Sequence, residues 1–235
     1  MKLFIFLLVV LLIFACNPDK NEPIYDNCNL RELITNGDTS TSKMRFDYDT
    51  FGRLVRLNFP PYITYIAYGD HQVTVTETGR NLKYIIGNDS LAIYRIGSLG
   101  DSTVYQYDVE RHLIKQVRYQ DKVFSDSIVY QYVNGNIAHW AQYSKTGMFD
   151  YADMKYDETL ISKSWYFQNI HSLPDYYFPC LGKPNKNLII HQKIASSPYS
   201  ITINYTINAS GYVTRYVNQG GSGTVDKYDL IYDCR

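Results

Sequence analysis

From about residue 43 onward, apolar and polar residues alternate in short runs separated by Gly, Asn, Asp and Pro. A two-residue period of this kind predicts strands with one buried and one wet face. In one run Val55, Leu57 and Phe59 fall on one side, with Arg56 and Asn58 on the other. In a later one Ile201, Ile203, Tyr205 and Ile207 oppose Thr202, Asn204 and Thr206. Sustained helical periodicity is missing, and only the stretch around Asn29 to Ile34 has the pattern of a helical turn. The expected fold is therefore all-β, a large antiparallel β-meander of hairpins that is curled or barrel-like, occupying residues 28–235 as one domain.

The turns repeat. Tyr48-Asp49-Thr50-Phe51-Gly52-Arg53-Leu54 recurs as Tyr107-Asp108-Val109-Glu110-Arg111-His112-Leu113. Shortened copies follow at Tyr132–Ile137 and Tyr156–Ile161, and a late one runs from Tyr205 through Asn208 and Gly211 to Val213. Each places an aromatic at the end of one strand and a turn in the middle, with an apolar residue opening the next strand. An Asp in such a turn bonds backbone amides, and Gly supplies positive φ. The repeat reads as a hairpin unit.

The first residues carry a different signal. Met1-Lys2 precedes the apolar run Leu3 to Phe14, too short to span a bilayer but ordered like a secretory signal. It ends in Ile13-Phe14-Ala15-Cys16, a small residue before a cysteine, as the bacterial lipobox requires. The expectation is a signal peptide over 1–15, acylation of Cys16, and a polar, Pro-containing tether over 16–27. Residue 17 is Asn rather than Asp, so the retention signal of enterobacterial inner-membrane lipoproteins is absent, and the outer membrane, on its periplasmic or cell-surface face, is the expected address.

Composition narrows the functional classes. Lys plus Arg equal Asp plus Glu at 23 each, and loss of Lys2 with the signal peptide leaves a net charge of −1. No global field attracts nucleic acid, so none is expected as a partner. Tyrosine is abundant at 24, against 10 Phe and 2 Trp, which suits rings coating a half-exposed sheet or a stacking surface. The remaining cysteines are Cys28, Cys180 and Cys234. A meander that closes on itself brings its ends together and pairs Cys28 with Cys234; the rival pair, Cys180 with Cys234, needs the Pro-rich loop to fold back.

Tyr48-Asp49-x-x-Gly52-Arg53-Leu54 resembles the YD repeat of RHS-type shells, in which such hairpins wind into a β envelope. The whole layout resembles a family of exported lipoproteins from gut-commensal Gram-negative bacteria. The shared features are the lipobox, a Cys-x-Leu stretch at Cys28, the YD-like hairpins, an Asn-Leu-Ile strand after Gly182-Lys183-Pro184, and a terminal Tyr-x-Cys at Cys234. That family is a domain of unknown function with a porin-like fold, so the resemblance implies a curled β-meander and no assigned activity. Charged wet-face positions such as Arg56, Lys115, Arg118 and Lys163 disfavour a lipid-facing wall.

Candidate chemistry is sparse. Phe46 to Gly52 lacks the ligands of a calcium loop at Phe51 and Asn58, and Gly220-Gly221-Ser222-Gly223 has no following Lys-Ser/Thr, so it reads as a hairpin tip. His71, His112, His139, His171 and His191 show no ligand spacing, no nucleophile motif is present, and neither a metal nor a cofactor is expected. The irregular stretch from Asn169 to Asn187 holds Tyr176, Tyr177 and Phe178, the candidate contact surface, with Trp140 and Trp165 as stacking partners. The chain thus reads as a lipoprotein of the cell envelope, a non-enzymatic binding or structural module for a glycan, a peptide or an envelope protein. The alternatives are an envelope hydrolase whose site is not visible in sequence, and a carrier of an apolar ligand inside the curled sheet.

Overall fold

The computed structural model describes residues 28–36, 41–77, 79–163, 179–221, 223 and 225–234. Its first eight strands are β1 (Cys28–Asn36), β2 (Thr41–Tyr48), β3 (Leu54–Phe59), β4 (Tyr62–Gly69), β5 (Gln72–Glu77), β6 (Arg80–Ile86), β7 (Ala92–Gly97) and β8 (Asp101–Tyr107). The second eight are β9 (Leu113–Gln120), β10 (Val123–Val133), β11 (Asn136–Ser144), β12 (Gly147–Ile161), β13 (Asn187–Ile194), β14 (Ser200–Ile207), β15 (Val213–Gly220) and β16 (Val225–Cys234). Every strand pairs antiparallel with its neighbours in sequence, and β1 pairs with β16, which closes the meander into a barrel. The stretch from Asn29 to Ile34 is not a helical turn. It lies within β1, and its backbone is claimed on one side by β16 and on the other by β2.

This up-and-down order sorts the turns by end. Turns after even-numbered strands lie at one end, together with Cys28 and Cys234, and turns after odd-numbered strands lie at the other. Cys28 and Cys234 face each other in the register of β1 and β16 and are joined by a disulfide, with their Cα atoms 3.9 Å apart. The buried core draws on all sixteen strands, from Leu30 and Phe46 through Tyr84, Ile128 and Trp140 to Ile203 and Leu230. The interior is thus packed with side chains.

The repeat tyrosines, joined by Tyr68 of β4, bind the end that carries the disulfide. Tyr48 donates its hydroxyl to the Leu30 carbonyl, Tyr68 to Leu54, Tyr107 to Ala92, Tyr132 to Leu113, Tyr156 to Ile137 and Tyr205 to Ile189. Each bond runs from an even-numbered strand back to the odd-numbered strand before it. Burial raises the phenols of Tyr68, Tyr107, Tyr132, Tyr156 and Tyr205, that of Tyr68 to about 12. The tyrosines of the repeat therefore do not coat an outer face; they point inward with their hydroxyls satisfied by main chain.

The turns beside Tyr48, Tyr107 and Tyr205 are built the same way. Asp49 Oδ1 accepts the amides of Phe51 and Arg53, Asp108 Oδ1 those of Glu110 and His112, and Asn208 Oδ1 those of Ser210 and Tyr212. The fourth position takes positive φ in Gly52 and Gly211, and Arg111 adopts it at 73° in the middle copy. The Tyr156 copy departs from the hairpin expectation. Its Asp157 still accepts from Thr159, but β12 runs on to Ile161 as a bulge, because the Asn187 amide donates to the carbonyls of Glu158 and Leu160.

Chain that follows the bulge closes this end. The Ile137 amide donates to the Asn185 side chain, Lys183 N–H to Arg111 O, and Lys186 N–H to Gly135 O. Cys180 and Leu181 enter the core beneath them, at 1% and 6% exposure, so the third cysteine is an interior residue.

Candidate functional site

The opposite end of the barrel differs in chemistry. Here the inward positions of β6 to β10 are polar: Arg80, Arg95, Asp101, Thr103, Arg118 and Asp126. Thr103 and Arg118 face each other across β8 and β9, and Arg118 faces Asp126 across β9 and β10. These side chains line a cleft of 350 Å³, with Leu99, Ser102, Tyr119, Gln120 and Ser125 at its margin.

The charged side chains of the cleft pair across neighbouring strands. Asp101 Oδ2 accepts from the guanidinium of Arg80 and from that of Arg95, both at 3.0 Å. Arg118 grips Asp126 through Nε at 2.6 Å, and the same carboxylate accepts from the Gln142 amide at 3.3 Å. Among the described lining residues, three guanidinium groups meet two carboxylates. Arg95 is held deep, with its side chain 8% exposed, whereas Arg80 is 38% exposed. The buried Arg80 Nε and Asp101 Oδ1 have no hydrogen-bond partner.

None of these five residues was a candidate from sequence. The sequence pattern places Arg118 on the wet outer face, but it points into the mouth in line with Gln116, which is fully buried and bonded to the Tyr130 hydroxyl. The alternation along β9 puts Gln116 and Arg118 inside and Lys115 and Val117 on the opposite face, so hydrophobicity misassigns the strand. The one available signal was a run of inward Arg and Asp at matching distance from successive tips.

The two His–Asp pairs among the described residues are structural. His112 Nδ1 lies 3.0 Å from Asp108 Oδ2 and its ring stacks on Tyr132 at 4.5 Å. Arg53 takes the same place in the first copy, bonded to Asp49 and lying over the Tyr68 ring at 4.5 Å. Tyr212 takes it in the last, against Tyr232 at 5.0 Å. A position that accepts Arg, His or Tyr serves packing and not proton transfer. His139 pairs with Asp153, its direct neighbour across β11 and β12, at 2.7 Å on the outer wall. Among the described residues no group of three His, Cys, Asp or Glu is placed to hold a metal.

This architecture is shared. The chain is similar to a porin-like protein from Bacteroides uniformis, at 17% identity and a TM-score of 0.69, over 87% of this chain and 96% of that one. It is also similar to a porin-like protein from Bacteroides vulgatus, at 14% identity and a TM-score of 0.64, over 87% of this chain and 98% of that one. The protein has the porin-like fold. No protein-family model matches the chain, and none of the curated proteins matches it.

Of the candidates for a contact surface, the described part of the porin-like barrel holds Trp140. Trp140 is a core residue, 9% exposed, set between Tyr130 and Ala152 of the adjoining strands, and offers no stacking surface. Cys16, Trp165, Tyr176, Tyr177 and Phe178 lie outside the described residues.

Proposed function

We propose that this porin-like barrel is a water-surrounded binding module of the cell envelope, held to the outer membrane by acylated Cys16, and not a pore. The observation that carries this reading is the polarity of the wall. Side chains from all sixteen strands fill the interior, and exposed Arg56, Lys83, Lys155 and Lys227 are spread around the outside. Cross-strand charge pairs reinforce that exterior: Asp47 with Arg56, Arg215 with Asp229, and Glu32 with Lys43 and Arg45. A pore wants the reverse, with an apolar band outside and a wet lumen within.

The tether leads into β1 at Cys28, at the tyrosine end. A lipid anchored there leaves the arginine-lined mouth at the far end, facing away from the membrane surface. A binding module is favoured over an enzyme because the two His–Asp pairs have turn and wall roles.

One experiment tests anchor and wall together. The full chain and its Cys16→Ser variant are expressed in a Gram-negative host, extracted and partitioned in Triton X-114. Wild type is expected in the detergent phase and Cys16→Ser, still folded, in the aqueous phase. A variant that stays in detergent overturns the reading, because a lipid-facing wall needs no acyl chain. Recovery of a peptide linking Cys16 to Cys180 in the mature protein also overturns it, since a sulfur held in a thioether to diacylglycerol cannot form a disulfide.

A further inference from the structure

We propose that the tyrosine end of the barrel is a membrane-contact rim, whose apolar turn tips sit in the headgroup layer of the bilayer that holds Cys16. The inference rests on the acylated anchor proposed above and adds the surface with which the barrel meets the lipid.

The first argument is where exposed apolar side chains stand. Phe51, in the turn after β2, is 80% exposed, and Val109, in the turn after β8, is fully exposed. Val133 and Ile161, the last residues of β10 and β12, are 59% and 62% exposed. Turn tips ordinarily carry polar residues, and all four of these stand at the end that carries the disulfide. The tips of β8, β10 and β12 follow one another around the rim at intervals of about 10 Å, two strands apart. Phe51 stands across the barrel from them, since half the circle of strands separates β2 from β10. Points on opposite sides of a rim are met together by a broad flat surface, and a bilayer is one.

The second argument is the backbone of the tips. A lipid interface accepts main chain whose own polar groups are already bonded. The Phe51 amide donates to Asp49 Oδ1 and the Gly52 amide to Asp49 O; the Glu110 amide donates to Asp108 Oδ1 and the Arg111 amide to Asp108 O. Both tips meet headgroups with these bonds intact. The charges around them are mixed, exposed Lys183 and Lys186 with exposed Glu110 and Glu158, which suits zwitterionic headgroups.

The tether selects the end. Leu99 and Val123 are exposed apolar residues at the mouth, at 65% and 55%, so exposure alone does not decide. Residues 16–27 enter at Cys28, on the seam at the tyrosine end. Relaxed, they span roughly 20 Å, which brings that end onto the bilayer. To bring the mouth down they would have to run back along β1, whose nine residues measure about 30 Å, most of the ~40 Å reached at full extension.

The test introduces Phe51→Cys, Val109→Cys or Leu99→Cys singly into the full-length protein and labels each with the fluorophore NBD; Cys180, 1% exposed, is closed to the label. Each acylated protein is added from detergent to preformed phosphatidylcholine vesicles, floated on a density gradient and titrated with aqueous iodide. The labels of Phe51→Cys and Val109→Cys are expected to lose most of their iodide quenching on vesicles, and that of Leu99→Cys to keep it. Floating protein whose Phe51→Cys and Val109→Cys labels stay open to iodide, or whose Leu99→Cys label is the shielded one, overturns the inference and leaves the anchor standing. Protein that does not float overturns the anchor, and the inference with it. Shielding of the same two labels in a soluble Cys16→Ser background without vesicles also overturns the inference, because a second copy then covers the rim.

Discussion

The hydroxyl of Tyr107 donates to the carbonyl of Ala92 at 2.7 Å, joining the last residue of β8 to the first of β7. The same bond recurs from Tyr48, Tyr68, Tyr132, Tyr156 and Tyr205, so the tyrosine-aspartate repeat holds one end of the barrel through side chain to main chain contacts. Tyr107→Phe keeps the ring and deletes the bond. It is expected to cost about 1 kcal/mol, the net value of a hydrogen bond whose acceptor is left buried. Tyr107→Phe and Tyr205→Phe, far apart around the barrel, should add; urea denaturation with a constant slope checks both.

Acid should loosen the turns. Burial alone would raise the Asp49 and Asp108 carboxyls, but amide donors and the facing Arg53 and His112 outweigh it and hold both below their usual 3.8. The hydrogen bond from Lys43 leads in lowering Glu32. A depressed carboxylate contributes stability that is present above its unfolded pKa and is lost as pH falls through the folded one. The melting temperature should therefore hold at neutral pH and decline below about pH 4. Asn208 caps its turn without a charge, so Asp49→Asn with Asp108→Asn should fold and show a shallower acid decline. Melting curves between pH 3 and 7 decide the point.

Two glycines should respond unequally to alanine. At Gly52, with φ +76°, an added Cβ meets nothing within 4 Å, so Gly52→Ala carries only the left-handed backbone penalty, about 1 kcal/mol. At Gly182, with φ +98°, the Cβ would lie 2.7 Å from the Arg111 carbonyl oxygen, the acceptor for Lys183 N–H. Main chain cannot swing aside, so Gly182→Ala is expected to cost roughly 3 kcal/mol, near the upper range for point changes, by lifting the closing segment off the barrel end. Equal losses by urea denaturation would refute the docking of that segment.

The Cys28–Cys234 disulfide spans 206 residues and sits on the seam where the meander meets itself. Its removal in Cys28→Ser with Cys234→Ser is expected to lower stability by up to ~5 kcal/mol under the chain-entropy account. Amide exchange should then accelerate first in β1 and β16 and last in β8 and β9, which lie across the barrel. Uniform acceleration would show that the seam is no weaker than the rest.

Much of the fold was legible because a strand's period of two is a local property. Ile203 and Tyr205 turn inward as their alternation with Asn204 and Thr206 requires, and the turns at Asp49, Asp108 and Asn208 close through bonds within five residues. Asn29 to Ile34 was misread for the complementary reason. Its conformation is imposed by β16, about two hundred residues away, and local pattern carries no record of that partner.

By itself, then, the sequence determined the strand type, the hairpin order and the chemistry of the repeated turns, each of which depends on residues a few positions apart. Tertiary structure decided which face was inside. Closing the barrel turned the repeat tyrosines inward onto main-chain carbonyls, drew Trp140 into the core, and gathered Arg80, Arg95 and Arg118 from three strands into one mouth. Those groups are up to 38 residues apart in the chain and meet only because β6 to β10 lie side by side with their tips at one end. A charged residue reads as solvent-facing in a linear pattern, whereas the open end of a barrel lets it point inward and stay wet.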